Sequence, residues 1–213
     1  MFVFCEVITS ARGQTVKTVS DTCVRHRFGG RRLDGLVPGV PEAMLEDVGS
    51  GLAPVSRGWF VVNVRDAAWV VNDAFGARCL FEADVPALRE RPDLDPVRFE
   101  QLGIKLAVFD PGRPSGLYHA DSAEEDFLVL QGECVARIED EDRVLRRWDF
   151  LHCAPGTHHG FVGAGVGPCV LLMVGARTHG RTFDYPDQGA GSSQEAYRDQ
   201  PHWRPGPRPA PFD

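Results

Sequence analysis

The chain has 213 residues and a mass of 23.4 kDa, which suits one domain with extensions, and its 43% hydrophobic residues can supply a substantial core. Its net charge of −7 argues against nucleic acid or an anionic membrane as the main partner, because phosphate contacts need clustered Lys and Arg. Six cysteines without a C-x-x-C pair indicate reduced thiols and predict a cytoplasmic protein.

The first 50 residues lack sustained apolar periodicity and contain the basic run 25–32 among scattered Gly and Pro. We predict a poorly ordered extension over residues 1–50. The apolar start of the chain has no basic residue before it and is interrupted by Glu6, so it predicts neither a signal peptide nor a membrane span. Met44 is a candidate for the natural start.

Short runs rich in Val, Trp and Phe begin after Gly58 and are separated by turn residues. They span residues 59–64, 68–71 and 77–81. We predict strands there, and strands at this spacing are typical of a sandwich or barrel. Residues 85–90 predict a short helical turn that ends at Pro92, because proline disfavours helix at the residue before it.

The strand predicted at 103–109 leads into the polar segment that begins at Gly116, and the hairpin predicted at 132–147 follows it. The acidic hairpin tip 139–142 lacks the spacing and glycine of a calcium loop and is interpreted as a solvated turn. Two return strands are predicted at 148–153 and 169–174. The predicted barrel therefore occupies residues 51–185.

The last part of the chain, residues 186–213, contains six prolines and three glycines in 28 residues. Such a composition predicts an irregular tail. Trp203 and Phe212 are candidates to anchor this tail on the barrel or on a neighbouring subunit.

Four side chains with metal-ligand chemistry lie on segments that alternate like β-strands. Residues two apart on a strand share a face, so His119 and Asp121 point the same way. Glu125 begins the next strand, and a turn at Pro155-Gly156 leads into His159. Imidazole and carboxylate together suit Fe, Mn, Zn, Ni or Co as divalent ions. We therefore predict one divalent metal ion held by His119, Asp121, Glu125 and His159.

These residues resemble the first motif of the cupin superfamily. Glu125 and Gly132 have the family's separation, His119 takes the place of the first motif His, and Asp121 stands where the second His would be. Gly112 lies one residue farther from His119 than in the strict motif. We expect a bulge to absorb this residue and to keep His119, rather than Tyr118, on the inward face.

The second cupin motif is similar to the segment that contains Asp149, Pro155-Gly156 and His159. The match covers about residues 106–175. The resemblance implies an all-β fold, a double-stranded β-helix or jelly-roll barrel, with a metal at one end and a tendency to form homodimers. It also implies a small-molecule ligand or substrate and chemistry such as that of an oxygenase or an isomerase.

Neighbouring residues receive secondary roles in this interpretation. Phe127 and Phe161 are predicted to form the apolar wall of a small pocket, and Asp121 is either a fourth ligand or an acid/base group. His158 is expected to face away from His159.

Two alternatives stay open at this stage. The barrel is a non-catalytic binding or dimerisation module, with the polar residues in a hydrogen-bonded cluster. Alternatively, His119, Asp121 and His159 form the triad of a 2-oxoglutarate-dependent Fe(II) dioxygenase, which the sequence resembles less well because the first basic residue after His159 is Arg177.

Overall fold

Fourteen β-strands form the regular structure of residues 39–82, 97–186 and 203–212, which are the residues that the computed structural model describes. The strands are β1 (Leu45–Asp47), β2 (Leu52–Pro54), β3 (Trp69–Asn72), β4 (Gly76–Leu80), β5 (Leu102–Phe109), β6 (His119–Asp121), β7 (Glu125–Gln131), β8 (Glu133–Ile138), β9 (Glu141–Arg146), β10 (Phe150–Cys153), β11 (His158–Ala164), β12 (Cys169–Ala176), β13 (Phe183–Asp184) and β14 (Arg204–Pro205). Residues 1–38 of the predicted extension and the helical turn predicted at 85–90 lie outside the described residues.

Two antiparallel sheets carry the fold. One has seven strands in the order β10-β7-β12-β5-β4-β3-β14, and the other has five in the order β13-β6-β11-β8-β9. A separate strand pair, β1 and β2, precedes them. Strands that are neighbours in a sheet are mostly distant in sequence, as in a jelly roll, and this confirms the predicted all-β fold. In the described part of the chain, no helix has the length and apolar character needed to cross a membrane.

The core lies between the inner faces of the two sheets. Period-two alternation sends Phe127 and Val129 of β7 inward, where they meet Phe161 of β11 and Leu171 of β12. Glu125 shares the inward face of Phe127, at the start of the same strand. The alternation that builds the apolar core therefore also brings a carboxylate to one end of it.

A second apolar layer covers the outer face of the seven-stranded sheet. Trp69, which is fully buried, lies against Phe212 with 5.4 Å between ring centroids. On the opposite face of β3, Trp203 packs against the cluster of Ala68 and Val70 and stacks on Phe75, and the Arg78 guanidinium lies 4.1 Å from its ring centroid. The end of the chain thus packs on the sheet to which β14 adds a strand.

The strand predicted at 59–64 is not formed. Within the described residues, Trp59 makes only an isolated bridge to Glu42, and Val61 is 82% exposed. High β-propensity does not produce a strand where the described backbone offers no continuous partner.

Candidate metal centre

One carboxylate and two imidazoles converge at the end of the barrel. His159 Nε2 lies 3.2 Å from Glu125 Oε2, and His119 Nε2 lies 3.7 Å from the same oxygen. The three ligand atoms lie within 4.8 Å of one another. They come from β6 and β11 of the five-stranded sheet and from β7 of the seven-stranded sheet, so the group forms only when the two sheets face each other.

The orientation of both imidazoles is set by the backbone. His119 Nδ1 lies 2.9 Å from the Leu117 carbonyl oxygen, and His159 Nδ1 lies 3.0 Å from that of Thr157. A carbonyl only accepts hydrogen bonds, so each Nδ1 carries the proton and donates it. Each Nε2 is left to face the cluster, which is the arrangement that metal-binding histidines use.

The two carboxylate oxygens of Glu125 have different surroundings. Its Oε1 accepts a hydrogen bond of 3.1 Å from Arg181, whereas its Oε2 is buried and has no hydrogen-bond partner among the described residues. A buried carboxylate oxygen without a donor is costly unless a cation compensates it. The residues present therefore fit a divalent metal ion bound between Glu125 Oε2 and the two Nε2 atoms.

The protonation of the cluster follows from its burial and its charges. Burial is the main cause that lowers the pKa of His119 to about 4, and the neighbouring His159 adds to it. Burial alone would lower the pKa of His159, but the Cys153 thiol and the Glu125 carboxylate raise it to about 10. Burial would raise the pKa of Glu125, yet His159 and His119 hold it below its usual value. Without metal, His159 and Glu125 form an ion pair beside a neutral His119.

Asp121 does not join this cluster. It is 2% exposed, and its carboxylate pairs with the Arg181 guanidinium and accepts a hydrogen bond of 2.9 Å from the Ala123 N–H. The predicted role of Asp121 as a fourth ligand or acid/base group does not fit this arrangement, because its oxygens are already engaged. A 2-oxoglutarate-dependent dioxygenase would need Asp121 as the carboxylate ligand of its triad, so the arrangement does not fit that alternative either.

The two predicted wall residues lie beneath the cluster. Phe127 is buried 5.0 Å from the His159 ring, and Phe161 is buried 6.0 Å from it, between ring centroids. Their rings contact each other at 4.6 Å. They form an apolar floor below His159.

The other histidines of this region point elsewhere. His158 faces away from the cluster, lies 5.8 Å from the Tyr118 ring and hydrogen-bonds to Asp184. The Tyr118 hydroxyl donates to the Glu139 carbonyl, so Tyr118 is on the outer side and His119 on the inner side. The extra residue before His119 is taken up in the loop between β5 and β6, not in a bulge within a strand.

Three residues of β13 and its approach were not predicted. Arg181 pairs with Asp121 and Glu125, and the rings of Phe183 and Tyr185 lie 5.9 and 5.5 Å from the His119 ring. The predicted barrel strands end near Arg177. Strand β13 has two residues, too few to show the alternating pattern from which a strand is predicted. The pairing of β13 with β6 is what brings these residues to the centre.

A cavity of about 610 Å³ lies apart from this centre. Its lining includes Leu102 and Ile104, which alternate along β5 with the residues of the inner face. The cavity is therefore on the outer side of β5 and does not belong to the metal centre.

Comparison with known proteins agrees with this geometry. Residues 105–175 match the family model described as the Cupin domain, and this segment contains the whole His119, Glu125 and His159 cluster. This segment of the chain is a cupin domain. No curated protein matches the chain significantly.

Solved structures similar to this cupin include a putative sugar phosphate isomerase from Acidithiobacillus ferrooxidans, at 29% identity and a TM-score of 0.39. That alignment covers 41% of this chain, which spans only 58% of the length of the other protein. A cupin-superfamily sugar phosphate isomerase from Silicibacter pomeroyi is 17% identical, with coverage of 70% and 97% and a TM-score of 0.46. The polyketide cyclase RemF from Streptomyces resistomycificus is 14% identical, with coverage of 66% and 91% and a TM-score of 0.46.

Proposed function

We propose that this cupin binds one divalent metal ion through His119, Glu125 and His159 and acts on a small molecule. The observation that supports it best is the convergence on Glu125 Oε2, a buried carboxylate oxygen, of two imidazole Nε2 atoms at 3.2 and 3.7 Å.

Two imidazoles and one carboxylate suit Fe(II), Mn(II), Zn(II), Ni(II) or Co(II), and three protein ligands leave positions open for a substrate. A bound ion would supply Lewis-acid polarisation of a substrate oxygen at those positions. Oxygenase or isomerase chemistry, a cytoplasmic location and a homodimer stay predictions.

The residues of the chain have distinct tasks in this proposal. The carbonyls of Leu117 and Thr157 orient the two imidazoles, and Arg181 fixes Glu125 through Oε1 so that Oε2 faces the ion. Phe127 and Phe161 exclude water from below the centre. Asp121 acts by positioning Arg181.

The metal content of two matched amide variants tests the ligand set. Glu125→Gln removes the anionic ligand, so we expect metal affinity to fall by at least about a hundredfold. Asp121→Asn, the control, should retain close to one ion per chain, although the loss of its charged contact with Arg181 should cost about 2 kcal/mol of stability. Both are measured by metal analysis of protein purified without chelator, with urea unfolding for stability.

The alternative outcomes separate the competing functions. Full metal content in Glu125→Gln together with its loss in Asp121→Asn would reverse the assignment of the carboxylate. A wild-type protein that takes up no transition metal even after reconstitution would support the non-catalytic module, and so would a His159→Ala variant with unchanged metal content.

A further inference from the structure

Lys105 is a partly buried lysine on the inner face of β5. It alternates with the outward residues Ile104 and Leu106 and shares its face with Ala107 and Phe109, which belong to the core between the sheets. Within the described residues, its ammonium group makes no hydrogen bond or ion pair. A lysine enclosed without a partner is costly, so this position calls for an explanation.

The seven-stranded sheet places Lys105 next to the metal centre. Glu125, Gly175 and Gly103 lie side by side on β7, β12 and β5, and the next inward row is Phe127, Met173 and Lys105. The two glycines have no side chains of their own, and the side chains of Glu125, Arg177 and Arg181 lie over them. The flexible stem of a lysine can carry its ammonium group toward these side chains.

Two of the side chains over the glycines are arginines, and both are already compensated by carboxylates. A Cβ at Gly103 would lie 3.3 Å from an Arg177 guanidinium nitrogen, and one at Gly175 would lie 3.4 Å from an Arg181 nitrogen. Arg177 pairs with Glu82, and Arg181 pairs with Asp121 and Glu125. Lys105 is the cation of this group that lacks a carboxylate within ion-pair distance in the described residues.

The charges around Lys105 make it responsive to an added anion. The positive charge of Arg78, followed by burial, lowers the pKa of Lys105 to about 7, whereas Glu125 opposes that shift. Arg181 and Arg177 add to the lowering. An anion next to Lys105 would favour the charged ammonium and restore a higher pKa.

We propose that Lys105 binds an anionic group, a carboxylate or a phosphate, of the small molecule whose reacting end lies at the metal centre. The inference rests on the proposed function, and it specifies an anionic substrate class. The sequence contains 21 arginines and only two lysines, so a lysine at this position is a departure from the general usage of the chain. A compact, mobile ammonium suits an anion that must enter and leave beside two fixed guanidinium groups.

Anion affinity of the Zn(II)-loaded full chain tests the proposal. Inorganic phosphate and acetate are titrated separately by calorimetry, and the zinc content is measured before and after. We expect Lys105→Met to bind the preferred anion about tenfold more weakly at unchanged zinc content, and Lys105→Arg to recover part of the loss. Arg143→Met, which removes an exposed cation from β9, should leave the affinity unchanged.

A measurement on the unmodified side chain does not depend on how the variants fold. Because the chain has two lysines, labelled lysine side chains give two ammonium signals by nuclear magnetic resonance, and Lys17→Met assigns them. By linkage, a tenfold preference for the charged form raises the pKa of Lys105 by about one unit when the anion saturates.

Results that refute the anion site can be told apart from results that refute metal binding. A protein that binds no metal refutes the proposed function. A protein with full zinc content that binds both anions equally in wild type and Lys105→Met, or whose Lys105 pKa does not move, refutes the anion site. A response to phosphate alone assigns a phosphate, and a response to acetate alone assigns a carboxylate; binding of neither anion also refutes it.

Discussion

At the scale of single residues, the centre is governed by competition for carboxylate oxygens. Glu125 and Asp121 are both buried next to Arg181, which satisfies Asp121 and only one oxygen of Glu125. The remaining oxygen, Oε2, lies 3.2 Å from His159 Nε2, and the proton on His159 keeps the centre neutralised when no metal is bound. A metal ion must displace that proton before it can bind.

Metal binding should therefore release close to one proton per ion at pH 8. His159 has a raised pKa of about 10 and is protonated at pH 8, whereas His119, with its pKa lowered to about 4, is already neutral and Glu125 is ionised. The apparent affinity should rise about tenfold per pH unit from pH 7 to pH 9 and level off near pH 10. Calorimetry in buffers of different ionisation enthalpy measures the proton count.

His152→Gln is the control for this measurement, because His152 is exposed and pairs with Asp126 away from the cluster. It should leave the proton count unchanged. Release of no proton would mean that His159 is neutral in the metal-free protein, and release of two would mean that His119 is charged as well.

At the scale of strands, the site depends on a glycine whose lack of a side chain lets neighbouring side chains approach the backbone. Gly175 of β12 lies opposite Glu125 of β7, and the Glu125 and Arg181 side chains occupy the space above it. A side chain at position 175 would displace Glu125. Glycine is needed here to form the metal centre, even though glycine inside a strand makes the strand less stable.

Gly175→Ala should weaken metal binding about tenfold while the fold is retained. The added Cβ would lie 3.1 Å from Glu125 Oε1, and the displaced carboxylate would leave its metal-facing position. Gly167→Ala is the matched control, because no atom lies within 4 Å of its added Cβ. Equal metal affinities in the two variants, measured by competition with a fluorescent chelator, would contradict this account.

At the scale of the whole molecule, the centre joins the two sheets of the jelly roll. His119 and His159 belong to the five-stranded sheet and Glu125 to the seven-stranded sheet, so an ion held by all three crosslinks the open end of the barrel. Unfolding separates these ligands, and the free energy of metal binding then adds to stability.

Removal of the metal should lower the melting temperature. With free metal at a hundred times Kd, binding contributes about 2.7 kcal/mol. For a chain of this size, that is a shift of about 5 to 10 °C on treatment with a chelator. Differential scanning calorimetry measures it. Glu125→Gln, with at least about a hundredfold lower metal affinity, should show a shift of at most about 1 to 2 °C, and a shift equal to that of the wild type would place the stabilising ion elsewhere.

The sequence by itself determined the elements that depend on local alternation. Period-two patterning predicted that His119 and Asp121 share a face, and the resemblance to the two cupin motifs implied the jelly-roll barrel with His119, Glu125 and His159 at one site. What it did not predict depends on partners distant in the chain. The strand expected at 59–64 lacks a continuous backbone partner in the described part of the chain, and Arg181 reaches Asp121 from 60 residues away.

Only the tertiary structure decided between the two carboxylates. Asp121 and Glu125 are equally good metal ligands as residue types, and both stand at inward positions of their strands. Which of them faces the two histidines is determined by where Arg181 lies, because one guanidinium neutralises Asp121 fully and leaves one oxygen of Glu125 to face the two imidazoles. That location follows from the pairing of β13 with β6, an interaction across the fold that no local pattern records.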